Sequence, residues 1–125
     1  MNLVDSSGWL EYFANGPNAE TFAKPIEHTH ELIVPSIVIT EVFKRILQQR
    51  SEPAALQVAA HMKQGRLVDL DVDLAMQAAK IGHDLKLPLA DSIILATART
   101  FDAVLWTQDQ DFRNIKNVRF IPKQT

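Results

Sequence analysis

Ten consecutive residues, Leu89 to Ala98 (Leu-Ala-Asp-Ser-Ile-Ile-Leu-Ala-Thr-Ala), constrain this chain more than any others. Read as a helix, the stretch is apolar almost all the way round, which predicts a buried central helix. Pro88 suits its first turn, where no backbone donor is needed. The one ionisable residue in the stretch is Asp91. Burying an unpaired charge costs several kcal/mol, a large part of the stability of a small domain. Three explanations are open: Asp91 caps the helix, pairs with a base, or faces a pocket that holds a cation.

The remaining sequence sets the frame for that choice. A length of 125 residues predicts one domain, spanning 1–125. Hydrophobic residues make up 46%, which argues for a packed core and against disorder. The absence of cysteine excludes disulfides, thiolate zinc sites and Cys nucleophiles, and it fits a cytoplasmic location. No apolar run reaches the roughly 18 residues of a membrane span. The opening Met-Asn-Leu-Val-Asp is short and acidic, unlike a signal peptide. A net charge of −2 does not by itself point to nucleic acid.

Strand and helix patterns alternate along the chain. Leu3-Val4 is a first strand ending at Asp5, and Ser6-Ser7 opens a helix carrying Trp9, Leu10 and Phe13 at helical spacing. Asn15-Gly16-Pro17 stops it, and a second helix is expected from about Asn18 to His28. Leu32-Ile33-Val34 reads as a buried strand, followed by a helix from Ile37 to about Arg50. Ser51 is expected to cap the next helix, with Pro53 in its first turn and Gly65 at its end. Leu67 to Leu70 reads as a strand, and Asp73 is expected to cap a helix reaching Leu85 or Lys86. After the Leu89 helix come a strand from Ala103 to Trp106, a turn into a short helix at Thr107 to Phe112, and a last strand from Val118 to Ile121. This order predicts a three-layer α/β sandwich with a mainly parallel central sheet of about five strands. Ligands of such folds sit beyond the carboxyl ends of the strands.

Acids gather at that edge. Asp5 follows the first strand directly, and Asp109 and Asp111 closely follow the strand ending at Trp106. Glu41 lies in the second turn of the helix after the second strand, and Asp91 in the first turn of the buried helix. Each has an ordinary explanation when taken alone. Asp5 caps a helix, Asp109 and Asp111 belong to a turn, and Glu41, off the centre of the face set by Val38, Ile39, Val42, Phe43, Ile46 and Leu47, is solvated. Asp91 alone resists such an explanation. Carboxylates brought together repel unless a cation holds them, and an all-oxygen ligand set selects Mg²⁺ or Mn²⁺. Such an ion activates water and neutralises phosphate oxygens.

Four segments also resemble a known family. Val4-Asp5-Ser6-Ser7-Gly8-Trp9 resembles the opening of PIN domains, and Pro35 to Val42 resembles their strand–helix segment with its Glu. Leu89 to Ala98 resembles the family's central helix. Leu105-Trp106-Thr107-Gln108-Asp109-Gln110-Asp111-Phe112 is similar to its closing motif. Length and acid placement are most similar to the VapC toxins of toxin–antitoxin pairs. The resemblance implies an Mg²⁺- or Mn²⁺-dependent endoribonuclease acting through metal-activated water. Its acidic set is Asp5, Glu41, Asp91 and Asp109. The resemblance implies that Asp5, Asp91 and Asp109 hold metal and that Glu41 joins directly or through water, with Asp111 an alternative that could share or replace the role of Asp109. It implies that Ser6 and Thr107 orient carboxylates or water. It further implies structured RNA, transfer or ribosomal, as substrate, a cognate antitoxin as partner, and a homodimer.

Setting the four acids aside takes the net charge from −2 to +2, so the remaining surface is mildly basic. Lys44, Arg45 and Arg50, on or near the helix carrying Glu41, are candidates for RNA phosphates. Tyr12 is a candidate for bordering a partner groove. Two alternatives stand beside the nuclease: a non-catalytic PIN-like module that binds RNA or protein, and a metal-dependent phosphatase. Asp69-Leu70-Asp71-Val72-Asp73 has the opening spacing of a calcium loop, but Leu74 and Lys80 stand where Gly and Glu are needed. No Gly-rich phosphate loop exists. His28 and His30 have no third ligand nearby in sequence and read as surface residues, and His61 and His83 are isolated on helices.

Overall fold

The computed structural model describes residues 1–124. Among these residues the chain forms five strands and six α-helices. The strands are β1 (Asn2–Val4), β2 (Leu32–Pro35), β3 (Arg66–Val68), β4 (Val104–Thr107) and β5 (Val118–Phe120). The helices are α1 (Ser6–Phe13), α2 (Ala19–Ile26), α3 (Ser36–Gln49), α4 (Glu52–Met62), α5 (Val72–Leu85) and α6 (Leu89–Thr100), with 3₁₀ turns at Thr29–Glu31 and Gln110–Phe112. All neighbouring strands are parallel, in the order β3-β2-β1-β4-β5. β1 lies at the centre, with Leu3 opposite Ile33 on one side and Leu105 on the other. Leu3, Val4, Ile33, Val34 and Leu105 are fully buried, as strands of a parallel sheet covered on both faces should be.

Chain order and strand order together fix the site. β1 and β4, neighbours in the sheet, are about a hundred residues apart in sequence, and Asp5 N–H donates to the Trp106 carbonyl at 3.2 Å. Their carboxyl ends therefore bring Asp5 beside Thr107. Gly8 keeps α1 close to β1, since a Cβ there would lie 2.5 Å from Val4 Cγ1 and 2.7 Å from Phe22. At the other end of the fold, α5 and α6 form a tight hairpin. Lys86 takes the left-handed conformation (φ 56°) that ends α5, and a Cβ on Gly82 would collide with Ser92 Oγ.

The Leu89 stretch is the buried helix that its composition demands. Ser92 to Ala98 are buried without interruption, although Leu89 itself is 80% exposed. Its hydroxyls are satisfied within the helix: Ser92 Oγ donates to the Pro88 carbonyl and Thr97 Oγ1 to the Ile93 carbonyl, both at 2.8 Å.

Two expectations need correction. The cap of α5 is Asp71, which accepts from Leu74 N–H at 2.8 Å, and not Asp73, which lies inside the first turn. The helix begins earlier than its apolar pattern because Val72, at 74% exposure, contributes nothing to the core. The second helix is shorter than Asn18 to His28. It ends at Ile26, just after Pro25, and Asn18 makes no side-chain cap because its amide is committed elsewhere.

Candidate metal centre

Asp5 is the most enclosed acid, at 2% exposure. It caps α1, as an Asp followed by Ser-Ser-Gly suggests, and Oδ1 accepts from Gly8 N–H at 3.0 Å and from Ser7 Oγ–H at 2.6 Å. Oδ2 accepts from Thr107 Oγ1–H at 2.5 Å across the strand pair. Burial pushes the Asp5 carboxyl up to about 6, against the pull of these three donors, and the charge of Asp109 adds to the rise.

The same hydroxyls tie this acid to the next segment. Ser7 Oγ accepts from Gln108 N–H at 3.0 Å, and Thr107 Oγ1 accepts from Asp109 N–H at 2.8 Å. Asp109 in turn accepts from Asp111 N–H at 2.9 Å, the short-range turn that its position after a strand predicts. Behind this loop, buried Asn18 donates to Gln108 Oε1 at 2.7 Å and to the Pro122 carbonyl at 2.9 Å, and accepts from Gln124 Nε2 at 2.8 Å.

Asp91 has the opposite surroundings. It stands in the first turn of α6, but Pro88 is the cap position and no side chain caps this helix. Among the described residues no Lys or Arg forms a salt bridge with it. What faces it is acidic: one carboxylate oxygen from each of Asp91, Asp109 and Asp111 lies within 4.8 Å of the others. Burial, then the charge of Asp109, a hydrogen bond shared with Asp111 and the charges of Asp111 and Asp5, push the Asp91 carboxyl up to about 8. Of the three explanations for Asp91, capping and base pairing are thus removed.

Glu41 is half-buried rather than solvated. Its Oε1 is buried with no hydrogen-bond partner, and its carboxyl is raised by burial first and by Asp109 second. The Ser6 hydroxyl beside it favours the charged form, yet no hydrogen bond reaches Oε1. An orphaned buried carboxylate oxygen, three further carboxylates within reach of one another and the absence of cysteine fit a hard divalent cation.

Thr107 and Ser7 both donate to Asp5, while the Ser6 hydroxyl stands beside Glu41. Ser7, Asn18 and Gln108 were absent from the sequence-derived set. Ser7 was findable from capping rules, whereas the Asn18–Gln108 bond spans ninety positions and leaves no local signature. Arg45 and Arg50 line a groove that opens beside Ser6 and Ser7, and Lys44 is exposed outside that lining. Tyr12 does not line the groove: its hydroxyl donates to Glu27 at 2.8 Å, and burial and this carboxylate push the phenol up to about 12.

A family model for the PIN domain matches residues 3–118. The chain belongs to the PIN-domain family. Solved structures of similar fold include a toxin–antitoxin complex from Klebsiella pneumoniae (TM-score 0.82, 22% identity, 95% of this chain and 96% of that one). VapC20 of Mycobacterium tuberculosis, described as a toxin that cleaves the sarcin-ricin loop, aligns with TM-score 0.72 at 20% identity over 90% and 92% of the two chains. DNA-bound VapBC from Salmonella typhimurium aligns with TM-score 0.74 at 16% identity over 98% of each chain. No curated protein sequence matches. At these identities the structural likenesses establish the PIN fold. Among the described residues no helix is long and apolar enough to cross a membrane.

Proposed function

We propose that this PIN domain is an Mg²⁺- or Mn²⁺-dependent endoribonuclease, the toxin of a toxin–antitoxin pair. The observation that carries the reading is the state of Asp91, an acid in a buried helix with no cap and no base, faced by two further acids. Such a site is costly as a structural device and reasonable as a cation site.

Asp91, Asp109 and Asp5 are assigned as the holding carboxylates, with Glu41 joining directly or through water and Asp111 available beside Asp109. A bound divalent ion supplies an activated water and neutralises charge on the phosphate being attacked. The chain's own residues set the geometry. Thr107 and Ser7 lock the Asp5 carboxylate in one rotamer, and the Asp109 backbone is fixed to the same Thr107 hydroxyl. Glu41, with a free oxygen at the edge of the acid group, is placed to orient water or take up a proton. No protein nucleophile is required.

The substrate is assigned as structured RNA, transfer or ribosomal, and the partner as a cognate antitoxin. The toxin–antitoxin complexes among the structural relatives support the antitoxin as partner. A homodimer and a cytoplasmic location complete the reading. Incubation of purified protein with total RNA in Mg²⁺ or Mn²⁺ tests it. Cleavage that disappears in EDTA and in Asp91→Asn is the expected result, and full activity under either condition refutes it.

A further inference from the structure

One buried amide behind the Asp109 segment serves neither the apolar core nor its own helix. Asn18 is 2% exposed and holds the cap position of α2, yet its side chain makes no cap bond. Asn is favoured at such a position because its oxygen satisfies a free N–H of the first turn. Here the amide goes instead to partners 90 to 106 residues on: Gln108, Pro122 and Gln124. The Pro122 carbonyl can only accept, so the amide nitrogen must face it, at 2.9 Å. The second N–H then serves Gln108 Oε1 at 2.7 Å, and the amide oxygen accepts from Gln124 Nε2 at 2.8 Å. The backbone of Asn18 is itself anchored, since its N–H donates to the Glu11 carboxylate at 2.8 Å.

What these bonds enclose is the segment that carries Asp109. Its backbone is pinned at three points. The Thr107 carbonyl accepts from Ile121 N–H at 2.8 Å, Gln108 N–H donates to Ser7 Oγ at 3.0 Å, and Asp109 N–H donates to Thr107 Oγ1 at 2.8 Å. The two hydroxyls involved are the ones that also donate to Asp5. A shift of this segment therefore moves Asp109 and loosens Asp5 together. The Gln108 side chain, 6% exposed, is bonded to Asn18, and Asn18 joins it to the tail after β5. The segment is thus gripped between the start of α2 and the Pro122–Gln124 tail. Without the Asn18 amide, the acceptors on Gln108 and Pro122 lose a donor that little water can replace.

We propose that Asn18 is a positioning residue of the metal centre. By clamping Gln108 to the Pro122–Gln124 tail it fixes the Asp109 carboxylate beside Asp91 and, through Ser7 and Thr107, keeps Asp5 in register with both. This rests on the cation reading of the three acids and adds a residue on α2 and the end of the chain to what holds them.

Two readouts test it without turnover. The first is calorimetric titration of Mn²⁺ into the full-length protein near pH 7. Asn18→Ala should weaken binding about tenfold, the usual effect of removing a group that orients a metal ligand. Asn18→Asp, of the same size but without the two donors, should weaken it as much. Gln108→Ala should do the same, and the double variant Asn18→Ala/Gln108→Ala should be no weaker than either single one, because the two act as a pair. Gln124→Ala, which removes one of the three amide bonds, should cost about two- to fivefold. Ala79→Gly, on the exposed face of α5, lowers helix stability without touching this network and should stay within about twofold. The second readout is amide hydrogen exchange in the metal-free protein. The Gln108 and Asp109 amides should exchange at least about tenfold faster in Asn18→Ala, with Leu3 and Val4 of β1 unchanged.

Unchanged Mn²⁺ affinity in both Asn18 variants overturns the proposal, and so does weaker binding without faster exchange at Gln108 and Asp109. A comparable loss of affinity in Ala79→Gly assigns the effect to general destabilisation and overturns it too. If both Asn18 variants fail to fold, Gln108→Ala and Gln124→Ala carry the same comparison. Absence of Mn²⁺ binding by the wild-type protein refutes the cation reading, and the exchange result then decides by itself whether Asn18 holds the segment.

Discussion

Asp5 and Asp91 both stand at the start of a helix, both on the same sheet edge, and they are held in opposite ways. Asp5 is enclosed at 2% exposure and receives three hydrogen bonds, from Gly8, Ser7 and Thr107. Asp91 receives no cap bond and no base, and sits with its oxygens among those of Asp109 and Asp111. The first carboxylate is part of the architecture that joins β1, α1 and β4. The second is a group of like charges that the fold tolerates and that, in the proposed reading, a cation relieves. Burial alone does not explain the difference, since the more enclosed Asp5 is the less strongly raised carboxyl. The identity of the neighbours does, donors in one case and like charges in the other.

Substitutions should divide along this line. The largest expected effect is on catalysis: Asp91→Asn should lower RNA cleavage by at least about a thousandfold, comparable to removing a principal charge-stabilising group. Its melting temperature without metal should equal or exceed that of wild type, because like-charge repulsion is removed. A marked loss of stability in this variant would break the comparison, since it would make Asp91 structural after all.

Asp5→Ala should lose activity as well, but with a stability cost of about 1–3 kcal/mol measured by urea denaturation. The helix cap goes, and the Ser7 and Thr107 hydroxyls lose their acceptor. A smaller change sharpens the same point: Thr107→Val removes one donor and leaves Asp5 in place. Activity should fall by about 10- to 100-fold through misorientation of the carboxylate, and the apparent affinity for Mn²⁺ should fall with it.

The pH dependence of stability is the mildest effect and has a definite sign. A carboxyl whose pKa is raised on folding binds more protons folded than unfolded. Stability of the metal-free protein therefore falls as pH rises from the unfolded value of 3.8 towards about 6 for Asp5 and about 8 for Asp91. Differential scanning calorimetry in EDTA between pH 5 and 8 should show a melting temperature declining by a few degrees. Saturating Mn²⁺ should cancel or reverse that decline, and Asp91→Asn should flatten its upper part.

The sheet and its helices were legible because their signals are local. Apolar strands, the Ser51 cap and the all-round hydrophobicity of α6 each occupy a few adjacent residues. Parallel connectivity then follows from alternation, and with it the edge where the acids gather. Asp71 was less visible because a chain with acids at 69, 71 and 73 offers three caps, and only backbone geometry picks one. The surroundings of Glu41 are hidden for a different reason. Helical periodicity sees only the face turned to α3's own core partners, and Glu41 is covered by the segment bearing Ser6, which periodicity does not register. The Asn18–Gln108–Gln124 contacts were invisible in principle, since no spacing rule connects positions so far apart.

The central claim is that Asp91 is held for a cation, and calorimetric titration with Mn²⁺ near pH 7 tests it most directly. Burial and the neighbouring acid charges raise the Asp91 carboxyl, so the acid group favours protons in the metal-free protein and a metal ion competes with them. The account predicts binding to wild type with proton release, seen as an apparent enthalpy that changes with the ionisation heat of the buffer. It predicts at least about tenfold weaker binding and loss of the buffer dependence in Asp91→Asn. Absence of Mn²⁺ binding by the wild-type protein, or the same affinity and proton release in Asp91→Asn, would contradict it.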